Sequence, residues 1–201
     1  PGSYADSINV ILSGDALINY AIPTVNPGSL TVTPALVTIS ADNTNRTYGV
    51  TNPAFAGTVN GLVNNDVVTV AFWSAAQTNS PAGNYVITVG ALAGDALINY
   101  AVVTNQGVLT VTKAALMVTP SNTNRVFGVA NPMITGTVTG LQNNDSITPN
   151  YASAAAPPSP PGSYDITAAL SDPAAKLGNY EITLNKGTLT VTGGDAPIIT
   201  L

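Results

Sequence analysis

Apolar and polar residues alternate along much of this chain. Val37, Ile39 and Ala41 alternate with Thr38 and Ser40, and Tyr85, Ile87 and Val89 with Val86 and Thr88. Leu109 and Val111 alternate with Thr110 and Thr112. A period of two in short segments rich in Val, Ile, Thr and Tyr marks half-buried β-strands, because successive side chains leave a strand on opposite faces. No stretch of ten residues keeps a helical period, and glycine (18) and proline (15) punctuate the strand-like runs. The pattern predicts an all-β chain.

The pattern also repeats. Leu17-Ile18-Asn19-Tyr20 returns as Leu97-Ile98-Asn99-Tyr100 and, with one change, as Leu177-Gly178-Asn179-Tyr180, 80 residues apart each time. Leu30-Thr31-Val32-Thr33 recurs at 109–112 and 189–192. Asn43-Thr44-Asn45-Arg46, Asn52-Pro53, Gly57-Thr58-Val59 and Asn64-Asn65-Asp66 each recur once, 79 residues later. These offsets divide the chain into the C-terminal half of a repeat (1–33), two full repeats (34–112 and 113–192) and a segment 193–201 that is either a tail or the first strand of a following unit. Each full repeat is predicted to be a small β-sandwich of about six short strands. The alternative is a β-grasp-like sheet with one short helix near Gly61–Asp66. Asn26-Pro27-Gly28, Asn105-Gln106-Gly107 and Asn185-Lys186-Gly187 each separate two strand-like runs. Glycine in the third place suits a type I turn closed by a positive-φ residue, so each triplet is predicted to close a hairpin.

Several motifs keep this order and spacing. They are Tyr48-Gly49-Val50-Thr51-Asn52-Pro53 with Gly57-Thr58-Val59 and Gly61-Leu62, and Phe127-Gly128-Val129-Ala130-Asn131-Pro132 with Gly136-Thr137-Val138 and Gly140-Leu141. With the closing Gly-Asn-Tyr and Leu-Thr-Val-Thr segments, the chain resembles the mostly-β, glycine-rich MBG repeats of large bacterial surface and adhesin-like proteins. The resemblance implies a stalk or display role outside the cell or on the bacterial surface, and brings no catalytic residue with it. Members often carry an acidic residue after Tyr-Gly, where this chain has Val50 and Val129.

Composition narrows the chemistry. Charged residues make up 7% of the chain, against about 25% in an ordinary globular protein, so neutral Thr, Ser and Asn must finish the surface. Histidine and cysteine are absent, which removes the commonest general base, thiol catalysis and disulfides. Five basic residues in a chain of net charge −5 assemble no basic patch, so no nucleic-acid partner is expected. No apolar run is long enough for a membrane helix, and no membrane insertion of this segment is expected. No catalytic, cofactor-binding or metal-binding residue is assigned, and the chain is not expected to be an enzyme. Weak calcium binding is the one cofactor reading left open. Asp66 and Asp145 recur in Asn-Asn-Asp, and Asp15 and Asp95 in Gly-Asp-Ala. A single carboxylate per site coordinates calcium poorly, so turn chemistry is favoured.

Arg46 and Arg125, the only arginines, share one repeat position. They are expected to hold loop carbonyls or a nearby Asp, with a neighbouring repeat or a carboxylated ligand as the alternative. Recurrent tyrosines (Tyr20, Tyr100, Tyr180; Tyr4, Tyr85, Tyr164) are expected to bury their rings and bond their hydroxyls, the alternative being an exposed row that stacks on surface glycans. Trp73, matched by Ala152, is expected to be local packing. Pro157-Pro158-Ser159-Pro160-Pro161 is expected to be a stiff strand connection. Residues 34–112 contain no lysine, so a per-repeat isopeptide bond is excluded, and Lys176 could serve only the last repeat.

The half repeat would leave open sheet edges and an uncovered apolar face. Asp6 falls where the full repeats have Ile87 and Ile166, so its strand must bulge or expose that face. Partners are therefore expected to be neighbouring repeats or copies of the chain, including completion by strand addition into a fibre, with surface glycans as a further alternative.

Overall fold

The computed structural model describes residues 1–11, 13–15, 21 and 24–194. Strands β1 (Gly2–Ala5) and β2 (Ser29–Val32) come first. The first full repeat supplies β3 (Ala35–Ala41), β4 (Thr44–Thr47), β5 (Gly57–Asn60), β6 (Thr69–Trp73), β7 (Gly83–Ala93), β8 (Tyr100–Asn105) and β9 (Gly107–Thr112). The second supplies β10 (Ala114–Pro120), β11 (Thr123–Val126), β12 (Gly136–Thr139), β13 (Thr148–Ser153), β14 (Gly162–Ser171), β15 (Tyr180–Leu184) and β16 (Gly187–Thr192). Each repeat thus has seven strands rather than six. Short 3-10 turns occur at Asp95–Asn99 and Leu177–Asn179. Residues 61–66 form no helix, because Asn64 and Asn65 take left-handed backbone angles (φ 55° and 57°).

The two repeats share one topology: a three-stranded sheet (β5-β3-β8 and β12-β10-β15) and a four-stranded one (β4-β9-β7-β6 and β11-β16-β14-β13). In the second repeat Ala114, Leu116 and Val118 alternate inward along β10, while Leu189 and Val191 do so along β16. Ala155, Ile166 and Leu189 form a core cluster, with Ile134, Tyr151 and Tyr164 packed against it. Burying each large aliphatic side chain contributes roughly 1.5–3 kcal/mol.

The hairpins predicted at Asn105-Gln106-Gly107 and Asn185-Lys186-Gly187 are not formed, and the strand that would precede Asn26-Pro27-Gly28 lies largely outside the described residues. β8 pairs with β3 in the three-stranded sheet, whereas β9 belongs to the four-stranded one. Asn105-Gln106-Gly107 therefore carries the chain from one sheet to the other, and Asn185-Lys186-Gly187 does the same. In the second repeat β10 and β15 run parallel, both strands cross together, and they continue as the parallel pair β11 and β16. The Asn122 carboxamide accepts a bond from the Thr188 amide (2.8 Å) at the crossing, and the Asn185 amide donates to the Val118 carbonyl (2.9 Å). Asn43 takes the Val108 amide in the same way (2.7 Å). Neither Gly107 nor Gly187 has a positive φ. Their glycine is required by close backbone approach: a Cβ would lie 2.7 Å from the Asp42 carbonyl or 2.9 Å from that of Pro120.

By its contacts the chain divides into two compact units. One comprises Pro1–Asp42, Phe55–Trp73 and Ile87–Gly107; the other Asn43–Ala54, Ser74–Val86 and Val108–Leu201. In the first unit, β1 and β2 pair antiparallel with Tyr4 opposite Leu30, the register of Tyr164 opposite Leu189. Leu189 is fully buried, but Leu30 is 62% exposed. The Asp6 amide still reaches the Gly28 carbonyl (2.9 Å), so the pairing continues without a bulge and the face stays open. Tyr20 and residues 195–201, the expected first strand of a following unit or tail, lie outside the described residues.

Candidate functional site: the joint between repeats

Tyr48 leaves the end of β4 on a tight turn. Its amide donates to the Thr112 carbonyl (2.8 Å), the Gly49 amide to Thr78 (3.2 Å), and the Val50 amide back to Thr47 (3.1 Å). Gly49 sits at φ 85°, and a Cβ there would meet the Gln142 side chain at 2.5 Å. Backbone conformation and space both demand glycine.

Arg46 braces this turn from beneath. Its Nε donates to Asn52 Oδ1 (2.6 Å), and its other nitrogens donate to the Thr47 and Gln77 carbonyls. Asn52 in turn donates to the Ala76 carbonyl (2.7 Å). Arg125 repeats the arrangement with Asn131, Val126 and Ala156. Both arginines are buried and bind backbone carbonyls and an Asn within their own repeats; among the described residues neither engages an Asp.

Although it projects from a loop, Tyr48 is completely buried. Its ring stands edge-on to Tyr180, with centroids 5.6 Å apart and planes at 81°. Such aromatic pairs add about 0.5–1.5 kcal/mol beyond burial. The Tyr48 hydroxyl donates to Asp145 Oδ2 (3.0 Å), and the Tyr180 hydroxyl donates to the same oxygen (2.7 Å). The Gln142 amide donates to Tyr180 Oη (2.9 Å). Asp145 is presented by a turn whose Asn143 and Asn144 have φ 52° and 55°. Beside it, buried Asn179 accepts the Ala82 amide (3.0 Å). Tyr48, Gly49 and Ala82 of the first repeat thus meet Gln142, Asp145, Asn179 and Tyr180 of the second, all inside the second compact unit.

The electrostatics keep these phenols protonated, as donors must be. Burial, reinforced by the Asp145 hydrogen bond, pushes Tyr180 up to about 12. Burial also raises Tyr48, with Asp145 adding to the shift and Asn143 and Asn179 opposing it. For Tyr100 the Val63 backbone bond acts downward, but desolvation and Asp66 together outweigh it and raise the pKa.

Asp66 and Tyr100 occupy the equivalent place in the first repeat, where the Tyr100 hydroxyl donates to Asp66 Oδ2 (2.8 Å). Asp66 and Asp145 therefore serve as turn residues and as acceptors for tyrosine hydroxyls. Among the described residues, no three carboxylates gather as a metal site would require. Two further tyrosines are also tied to the fold: Tyr85 donates to the Pro81 carbonyl and Tyr164 to that of Pro160, each at 2.8 Å. Tyr4 is 54% exposed. Trp73 is half exposed and lies beside Gly90, where a Cβ would be 3.0 Å from its ring. The proline-rich run links the antiparallel neighbours β13 and β14, and the Pro157 carbonyl accepts the Gly128 amide (3.1 Å). Lys186 and Asp165 form an ion pair (2.6 Å) so exposed that it contributes little.

The braced Tyr/Phe-Gly-Val turn thus recurs with its arginine, its asparagine and its sheet context. Residues 37–110 and 116–190 each match the MBG domain of YGX type, together more than half of the chain. The chain belongs to the MBG family. No curated protein matches it. Membership points to a repeat module of surface proteins. In the first of these MBG repeats the Tyr-Gly-X turn, together with Ala82, reaches the next repeat. Tyr48 appeared in sequence only as part of the motif; the signal for its role was a recurring Asp paired with a recurring Tyr, opposite a Tyr-Gly that becomes Phe-Gly in the second copy.

Proposed function

We propose that this chain is a non-enzymatic stalk or spacer module of a secreted or cell-surface bacterial protein. The reading rests on the joint: a buried tyrosine of one repeat is sealed into the next by an aromatic contact and a shared carboxylate. A spacer needs such couplings, because they make successive repeats hold their spacing. The lack of histidine and cysteine and the low charge agree with a module that carries other activities rather than performing them.

Spin-label distance measurements test the reading. The chain has no cysteine, so Asn79→Cys and Ser163→Cys introduce the only thiols. A narrow distance distribution that broadens in Tyr48→Ala supports a spacer; a broad distribution with Tyr48 intact overturns it. The competing adhesin reading predicts saturable binding on a glycan array, where a spacer binds nothing.

A further inference from the structure

The edges of the sheets differ in how they are guarded. Edge strand β13 carries Pro149, and edge strand β6 is interrupted by a bulge between Val70 and Phe72. Prolines and bulges keep an edge from pairing with another chain. β8 and β15, at the edges of the three-stranded sheets, have neither. Each is buried at its first residue, Tyr100 or Tyr180, and exposed from there to its end. A complete repeat follows β8 and a complete repeat precedes β15, so the open edge recurs with a neighbour on either side in sequence.

β15 is apolar on its core-facing side. Ile182 and Leu184 share a face with their ladder partners Leu116 and Val118, which are buried, yet they are 40% and 48% exposed. β8 has Val102 and Thr104 at these places. Peptide groups alternate in direction along a strand. The Asn185 amide donates to Val118 of β10, so the N–H and C=O groups of Ile182 and Leu184 point the other way. On that side no strand among the described residues pairs with them.

We propose that β15 is a lateral docking strand, at which a second copy of this chain adds its own β15 antiparallel about a two-fold axis and two three-stranded sheets become one. Setting Ile182 opposite Leu184 of the second copy satisfies the free N–H and C=O of both residues on each chain, and covers each exposed aliphatic side chain with the other. Charge agrees with this occupant. Glu181, the one charged residue of β15, then faces Asn185 of the second copy. The two glutamates lie about 13 Å apart along the strands, beyond the screening length at physiological salt. A two-fold contact needs a single surface that matches itself, and this one does so in backbone bonds, apolar side chains and charge. It lies on a complete repeat and is independent of the half repeat.

Sedimentation of the full chain between about 10 µM and 1 mM, the range over which a weak dimer fills, tests this. A reversible dimer is expected. Leu184→Lys should weaken it about tenfold or more, since an inward-pointing lysine is itself an edge guard. Thr190→Lys, the same charge on an exposed position of the other sheet, should leave it unchanged. The Ile182 and Leu184 amides should exchange with solvent more slowly as concentration rises. A monomer at the top of that range overturns the proposal, whether the edge is then bare or covered by residues 195–201. So does a dimer that survives Leu184→Lys, or one lost equally in Thr190→Lys. Slowed exchange of the same amides on adding a synthetic strand peptide, without self-association, assigns the edge to a foreign strand and overturns it too.

Discussion

Tyr48 and Phe127 stand at the same place in two copies of one turn, with matching backbone bonds and matching braces, and their surroundings differ completely. Tyr48 is enclosed by Tyr180, Asp145 and Gln142, while nearly half of Phe127 is exposed. The turn therefore does not depend on docking for its shape. Arg46 or Arg125 with its asparagine holds the loop from within the repeat, and the next repeat receives an aromatic side chain that is already positioned. Preorganisation of this kind lets a small contact hold, because little entropy remains to be lost.

Substitutions at matched positions separate the joint from the fold, and denaturant unfolding measures each. Tyr48→Ala removes a wholly buried ring and is expected to destabilise the second compact unit by about 3 kcal/mol or more, while Phe127→Ala should cost well under half of that. Equal losses at the two sites would show that the joint contributes nothing. Asp145→Ala strips two phenols of their acceptor and Asp66→Ala strips one, so losses of about 2 and 1 kcal/mol are expected. Gly49→Ala and Gly128→Ala share the backbone strain of a left-handed residue, about 1–2 kcal/mol. Only Gly49→Ala adds a clash, with Gln142, so the difference between the two isolates the packing of the joint.

Alkaline pH provides a further probe of the joint. The folded state holds Tyr180 at about 12, above the ordinary phenol value of 10, so its neutral form is favoured by folding. The resulting stability is fully present below pH 10 and is lost as pH rises from about 10 through 12. Unfolding midpoints measured across that window should fall, and Tyr180→Phe should flatten the dependence while lowering stability at neutral pH. The smallest effect is expected at Tyr151, whose buried hydroxyl has no partner among the described residues and whose counterpart is Phe72. Tyr151→Phe should be neutral to stabilising by about 1 kcal/mol, because it removes an unsatisfied polar group.

Much of the fold was legible because burial imposes period two on the strands and because comparing copies separates fixed positions from free ones. Ile39, Ile87, Leu109 and Val111 are buried as their alternation predicts. The paired arginines were legible for a related reason: a guanidinium with five donors at a recurring position needs several acceptors. The pairing of the strands was not. A triplet ending in glycine is compatible with a hairpin and with a crossing between sheets, and only contact with Asp42 or Pro120, which the chain brings close from far away, tells them apart. β4 and β11 show no apolar alternation that would mark them in the sequence, and parallel partners sustain them. The joint was hidden for a different reason. Alternation within a repeat reports on that repeat's own core, whereas Tyr48 is buried by residues of the next repeat.

The sheet crossing bears on how a repeat would carry load. In the second repeat the incoming ribbon, β10 then β11, lies parallel to the outgoing one, β15 then β16, with Ala114 beside Tyr180 at one end and Val126 beside Thr192 at the other. Tension applied between Ala114 and Thr192 pulls the two ribbons lengthwise past each other. Their ladder bonds then resist in shear, together, whereas a hairpin pulled from its open end would peel one bond at a time.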